Sequence, residues 1–293
     1  MKPAKFEYHK PETLDEALTL LAEYGDEARV IAGGQSLVPM MNIRLARPDH
    51  LIDINGIDDL SQIRLENGSV AIGALVRHRE IEHSAQLAQA CPPLPAAACN
   101  IGHYALRARG TIGGSLALAD PAAEFPLMAT LLDAEFVARS GAGERSVPSH
   151  EFFVSVFTTA LEPEEILTAV RFRTLAQSEG WGFRWFSRRV GDYALVNAAA
   201  IVALKDEGRI HRIAMVLGGV GATPVRLTGL EQESVGAEAS AGWVREISSA
   251  AAARVEPGGD KHASAEYRRE LVELLLAGAL EDAIDRCRGR QAA

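Results

Sequence analysis

Two short stretches decide the reading of this chain: Ala32-Gly33-Gly34-Gln35-Ser36 and Thr111-Ile112-Gly113-Gly114-Ser115. Each carries two adjacent glycines between small or hydroxyl-bearing residues. The first follows Val30-Ile31, which reads as a short buried strand, and the second follows an alanine-rich helical stretch. Glycine lacks a Cβ, so neighbouring backbone N–H groups can turn inward together and approach an anion closely. The hydroxyls of Ser36, Thr111 and Ser115 add donors. Two such loops facing one another would clamp a pyrophosphate from both sides. Taken singly, each also reads as a tight turn that needs positive φ.

Ahead of the first loop, Thr13-Leu14-Asp15-Glu16 reads as a capping box, with Glu16 reaching back to the helix start. Ala17, Leu18, Leu21 and Tyr24 recur at helical spacing and Gly25 ends the helix. Leu51-Ile52-Asp53-Ile54 is a second strand, and a first α/β lobe spans 1–56. The second lobe, 57–176, has a strand at 70–72, a short helix at 77–82 and a helix over 94–105. Leu94, Ala97, Ala98 and Ile101 share one face of the latter. A turn at Gly113-Gly114, a helix at 125–132 and strands around Phe136 and 166–172 complete this lobe, and 140–143 is a turn. Segment 175–182 marks a boundary. Beyond it, strands at 183–187, 195–204 and 210–217 and helices at 241–253 and 263–288 form a domain over 177–293. Asp206-Glu207-Gly208 is the hairpin turn between the last two strands. The class is α+β.

The 293 residues suit one large or two modest domains. Hydrophobic residues make up 47% and charged residues 24%, which excludes wholesale disorder. A net charge of −9, without a block of Lys or Arg, argues against nucleic-acid or anionic-membrane partners. Three cysteines, Cys91, Cys99 and Cys287, cannot close a disulfide framework and are too few for an all-cysteine iron–sulfur or zinc site. Lys2 and Lys5 precede no apolar run, so no secretory signal is expected. The longest apolar stretch, 194–204, contains Asn197 and is too short to span a bilayer. No membrane insertion and a cytoplasmic location are the expectation.

Other nucleotide signatures fail. The sequence has no G-x-G-x-x-G and no G-x-x-x-x-G-K-[ST], and Gly34-Gln35-Ser36-Leu37-Val38 lacks the last glycine of a nucleophile elbow. Asp120 and Glu124 lie near a helix start, where they suit the helix dipole or accept hydrogen bonds from ribose or ribityl hydroxyls. His78 and His83, around Glu80 and Glu82, read as a solvated helix face. Cys91 and Cys99 read as core residues. Ser187-Arg188-Arg189, followed by Gly191-Asp192-Tyr193, is a basic turn: a salt-bridged hairpin, a cofactor edge or a docking surface. Asn67-Gly68-Ser69 is a glycosylation sequon by pattern alone.

In order and separation, the paired loops resemble the FAD pyrophosphate loops of the molybdenum hydroxylase medium subunits, of the xanthine dehydrogenase and CO dehydrogenase type. The resemblance runs along nearly the whole chain, through Asp120-Pro121 to Glu124, Arg188 to Tyr193, Gly218-Gly219-Val220-Gly221-Ala222-Thr223-Pro224 and Tyr267-Arg268-Arg269. The stretches around Gly114-Ser115-Leu116-Ala117 and Gly191-Asp192-Tyr193 look closest to the branch that hydroxylates N-heteroaromatic rings.

The resemblance implies a PCMH-type FAD-binding domain of two α/β lobes, then an antiparallel sheet with packed helices. It implies that Ala32, Gly33, Gly34, Gln35 and Ser36, with Thr111, Ile112, Gly113, Gly114 and Ser115, hold the pyrophosphate of a non-covalent FAD. Asp120 and Glu124 would meet cofactor hydroxyls, Ile101 and Leu167 the flavin ring, and Asp192 and Tyr193 its surroundings. It further implies an iron–sulfur small subunit and a molybdopterin large subunit, in an (αβγ)2 assembly that passes electrons to an external acceptor. No catalytic acid or base and no metal ligand is expected in this chain. The rival readings are a stand-alone FAD-dependent oxidoreductase and a scaffold subunit without flavin.

Overall fold

The computed structural model describes residues 2–205 and 208–291; Asp206 and Glu207 of the expected hairpin turn lie outside the described residues. A small parallel sheet comes first. Its strands are β1 (Glu7–His9), β2 (Ala28–Ile31) and β3 (His50–Asp53), in the order β1-β3-β2. Helix α1 (Leu14–Tyr24) covers it through Ala17, Leu18 and Leu21. The Thr13 hydroxyl accepts the Glu16 N–H at 3.2 Å, but Glu16 accepts from the Glu12 N–H at 2.8 Å instead of from Thr13. Only half of the expected capping box therefore forms. Helix α2 (Leu37–Asn42) follows the first glycine loop.

A five-stranded antiparallel sheet follows. It contains β4 (Ile63–Glu66), β5 (Ser69–Gly73), β6 (Glu135–Ser140), β7 (Gly143–Pro148) and, after two short strands, β10 (Ile166–Arg173). The order is β4-β5-β10-β6-β7, and the short pair β8 (Phe153–Ser155) and β9 (Thr158–Thr159) stands apart. Between β5 and β6 run α3 (His78–His83), α4 (Ala85–Ala90), α5 (Pro93–Ala98), α6 (Tyr104–Arg107), α7 (Ile112–Leu118) and α8 (Glu124–Leu131). The one-turn α9 (Ser149–Phe152) follows β7.

Three expectations change here. The helix foreseen over 94–105 stops at Ala98, because Gly102 takes φ +51° and redirects the chain. Gly113 and Gly114 form no turn: both sit in the first turn of α7, which Thr111 caps by accepting the Gly114 N–H at 3.1 Å. Cys91 is buried as foreseen, but Cys99 is exposed.

The last sheet is β11 (Glu179–Phe186), β12 (Val196–Leu204), β13 (Ile210–Gly218) and β14 (Val225–Arg226), paired in sequence order. Helices α10 (Thr228–Ser234), α11 (Ala241–Arg254) and α12 (Ala265–Gln291) pack around it. β11 begins inside the segment expected to be a boundary. Gly180 and Gly182 let α12 lie flat on this strand: a Cβ on Gly180 would overlap the Ala283 carbonyl, and one on Gly182 the Ala279 carbonyl.

Every residue of β12 is buried, and its period of two divides the core. Ala199 and Ile201, with Ala214 and Val216, join the core of the five-stranded sheet. Ala198, Ala200 and Val202, with Met215 and Leu217, face α11 and α12. The last sheet is thus covered on both faces. No helix among the described residues is long and apolar enough to cross a membrane.

Candidate flavin site

The first loop begins where β2 ends. Gly34 adopts φ +70°, a left-handed conformation that resists a side chain. Gly33 lies so close to the Arg109 carbonyl and the Gly110 Cα that a Cβ would overlap both. The two loops therefore meet at their bases.

A half-buried polar tie fixes that meeting. Asn55 donates to the Ala32 carbonyl at 2.7 Å and accepts from Arg77 at 2.7 Å. Arg77 also donates to the Arg109 carbonyl at 2.5 Å. Asp53 orients Asn55 by accepting its backbone N–H at 2.9 Å, and Tyr8 donates to Asp53 at 2.5 Å. Burial works against the Asp53 carboxylate, but the hydrogen bonds from Tyr8 and Asn55 hold it below the usual carboxylate range.

The loops differ in what they leave open. In the second, Ile112 N–H donates to the Val76 carbonyl at 3.0 Å and Gly113 N–H to the Ala74 carbonyl at 2.9 Å. Gly114 N–H is taken by Thr111, and Ser115 N–H by the Thr111 carbonyl at 3.0 Å. In the first loop, the N–H groups of Gly34, Gln35 and Ser36 donate to no protein group among the described residues. The glycines of the second loop also divide. A Cβ on Gly113 would collide with the backbone of Ala74, whereas one on Gly114 would meet only the Thr111 hydroxyl, at 2.9 Å.

Between the loops lies a cavity of about 510 Å3, within the range of cofactor sites. Ala32, Gly33, Gly34, Gln35, Ser36, Thr111, Gly113, Gly114 and Ser115 line it, with Ile101, Glu124, Leu167, Asp192 and Tyr193. Of the residues expected at the site, Ile112 and Asp120 do not line it. Ile112 is fully buried in the core, because the first turn of α7 faces inward. Asp120 turns back to accept the Ala122 N–H at 2.9 Å. Leu167 reaches the cavity beside a register shift between Leu167 and Ala169 on β10, the kind of irregularity that re-aims a side chain.

The electrostatics concentrate at one end. Glu124 opens α8 and is 5% exposed; burial, with Asp120 nearby, pushes its carboxyl up to about 7. Tyr193 keeps 56% of its surface exposed, but its hydroxyl end is desolvated and faces the Asp120 and Glu124 charges. These push it up to about 12, against a hydrogen bond with Ser36. Tyr193 thus spans from the first loop to the acids beyond the second. The C-terminal domain is tied to the main chain between these acids: Asn197 donates to the Ala122 carbonyl at 3.0 Å, and Gly219 N–H to the Pro121 carbonyl at 2.9 Å.

His78, expected on a solvated helix face, is 4% exposed and lines the cavity. Burial lowers its imidazole to about 4, so the ring is neutral. Nothing local in the sequence marks it, because its burial depends on Phe125 and Gly110 packing from distant segments. Phe157 and Glu165 also line the cavity without having been foreseen. Arg145 holds Glu165 through two hydrogen bonds of 2.6 and 2.8 Å.

The donor set fits a dinucleotide: free N–H groups on a left-handed glycine turn, hydroxyls opposite them, and long apolar walls at Ile101, Leu106, Ile166 and Leu167.

Comparison with known proteins agrees. Residues 4–172 match the family described as "FAD binding domain in molybdopterin dehydrogenase", and residues 181–283 the "CO dehydrogenase flavoprotein C-terminal domain". The chain is 40% identical over 288 residues to the 6-hydroxypseudooxynicotine dehydrogenase complex subunit alpha of Paenarthrobacter nicotinovorans, covering 98% of this chain and 97% of that one. It is 35% identical over 287 residues to the carbon monoxide dehydrogenase medium chain of Hydrogenophaga pseudoflava, covering 98% and 100%. A solved structure of that carbon monoxide dehydrogenase superposes with a TM-score of 0.94, over 98% of this chain and 100% of the other. Quinoline 2-oxidoreductase from Pseudomonas putida 86, 34% identical, gives 0.93 over 97% and 99%. With its paired loops, its cavity and its end-to-end similarity, the chain belongs to the FAD-binding medium subunits of the molybdenum hydroxylase family.

Proposed function

We propose that the cavity between the glycine loops holds one FAD without a covalent bond, and that the chain carries electrons between partner subunits and an external acceptor. The observation that carries this reading is the convergence of both loops, Glu124 and the Asp192–Tyr193 segment on one half-open cavity. Bound FAD supplies a store of two electrons that fills or empties one at a time.

The chain's residues bind, orient and exclude water. The N–H groups of Gly34, Gln35 and Ser36 take the pyrophosphate, and the Thr111 and Ser115 hydroxyls face it across the cavity. Glu124, close to half protonated near pH 7, accepts or donates to sugar hydroxyls. Ile101 and Leu167 bound the flavin ring, and Asp192 and Tyr193 close it from the C-terminal side. Residues 1–56 and 57–176 act as the two lobes of the cofactor module, and 177–293 as the domain that closes it.

Relatives named as a subunit of a dehydrogenase complex and as a medium chain support work in an assembly. An iron–sulfur small subunit delivers the electrons, and a molybdopterin large subunit meets the substrate, as an (αβγ)2 assembly in the cytoplasm. The three free cysteines suit a reducing compartment.

The test is the visible spectrum of the purified chain before and after acid precipitation. Flavin bands that move into the supernatant support the reading. A folded, colourless chain that takes up no added FAD overturns it. Native mass measurement on the co-expressed subunits tests the assembly.

A further inference from the structure

The flavin cavity sits at the C-terminal ends of β2 and β3. The β1–β3 pair on the side away from β2 gathers a different set of groups. β1 and β3 pair in register so that Glu7 lies beside His50, and His9 lies two residues further along the same face. His9 Nε2 stands 3.0 Å from His50 Nδ1, and Glu7 Oε2 stands 3.8 Å from that same nitrogen. One donor atom from each residue falls within 4.8 Å of the others.

The surroundings hold these groups in place. The Tyr24 ring stacks on His50, with centroids 3.8 Å apart and 3° between the planes, and also stacks on His9 at 5.2 Å. The Glu7 N–H donates to the Asp49 carbonyl at 2.7 Å, which fixes the strand that carries it. His50 has only 15% of its side chain exposed and Glu7 has 72%, so the carboxylate closes the cluster from the solvent side.

We propose that Glu7, His9 and His50 form a site for a zinc-class divalent cation, with water as the fourth ligand, that clips β1 to β3. Two imidazole nitrogens on one tetrahedral zinc, each at about 2.0–2.1 Å, lie about 3.3 Å apart. The pair shares a hydrogen bond of 3.0 Å, which the ion replaces as both imidazole lone pairs turn toward it with a small increase in spacing. Two imidazoles and one carboxylate suit zinc better than the hard cations, which take oxygen donors. Donors on paired strands, with their rings packed, are largely organised before the ion arrives. Glu7, His9 and His50 do not line the flavin cavity. The role of the ion is to brace the N-terminal lobe, apart from the electron path.

The experiment uses the full chain, stripped with a chelator and titrated with ZnCl2 by calorimetry. One zinc per chain is expected, with a higher thermal midpoint in its presence. His50→Phe keeps a ring against Tyr24 and removes the donor nitrogen; His9→Ala removes the other. Each should weaken zinc binding by about tenfold or more. Unchanged affinity in both variants, or no uptake by the unmutated chain, overturns the proposal. The absorption of Co2+ added to the unmutated chain decides independently of any variant's folding. Intense d–d bands of a low-coordinate, imidazole-bound ion support the site, and the pale spectrum of aqueous Co2+ overturns it.

Discussion

The two glycine loops look alike in sequence and do different work in the fold. Gly33-Gly34 is a true turn. Gly34 takes positive φ, and the N–H groups of Gly34, Gln35 and Ser36 remain undonated among the described residues. Gly113-Gly114 is the first turn of a helix, and its N–H groups are consumed by Val76, Ala74 and Thr111. The lesson is that a pair of glycines does not say which glycine serves the ligand. In the first loop the backbone presents donors. In the second, Gly113 touches the cavity but its missing Cβ makes room for Ala74, just past β5, while Gly114 and the hydroxyls face the cavity without such a neighbour.

That difference can be broken experimentally. Gly114→Asp has the largest expected effect. Its carboxylate enters the cavity, and its Cβ, 2.9 Å from the Thr111 hydroxyl, displaces that helix cap at a cost of about 1 kcal/mol to the fold. A like charge held within ~4 Å costs about 4 kcal/mol at intermediate dielectric, so FAD affinity should fall roughly a hundredfold or more while the far-ultraviolet spectrum stays unchanged. Normal flavin content would show that Gly114 does not face the phosphates.

Glu124 sharpens the comparison next, because it gives the second loop's side of the cavity a titrating group. In the folded chain its pKa, about 7, lies above the ordinary carboxyl value of 4.5. The neutral form therefore favours folding. That stability is fully present below about pH 4.5 and is lost as pH rises through 7. The loss should be about 3 kcal/mol in the flavin-free chain. Glu124→Gln should flatten this slope in denaturant titrations across that range. An equal slope in the variant would contradict the assignment.

Gly113→Ala should destabilise the chain by about 2 kcal/mol, through overlap with the Ala74 backbone. It should do so equally with and without FAD, in contrast to Gly114→Asp. Asn55→Ala is the smallest. It cuts the tie between the Ala32 carbonyl and Arg77, costs about 1 kcal/mol, and speeds FAD release measured by stopped-flow fluorescence.

The sequence made legible what local chemistry dictates. The first strand–glycine junction, the Thr13 cap and the buried run of β12 are all readable from neighbouring residues. What stayed hidden depended on distant partners. The helix expected over 94–105 ends at Ala98, and Gly102 with φ +51° turns the chain before Tyr104. His78 is buried by Phe125 and Gly110, far from it in sequence. Ile112, grouped with the loop by motif, faces the core because Thr111 starts a helix there. Gly180 and Gly182, read as part of a boundary, are strand residues shaped by the helix that closes the chain. The resemblance located the loops; the division of labour between them needed three dimensions.

Amide hydrogen exchange of the chain with and without FAD tests that division most directly. The account predicts that the amides of Gly34, Gln35 and Ser36 exchange fast without FAD and become protected when it binds. Those of Ile112 and Gly113 should be protected in both states. Gly34–Ser36 amides indifferent to FAD, or Ile112 and Gly113 amides that gain protection only with it, would contradict the account.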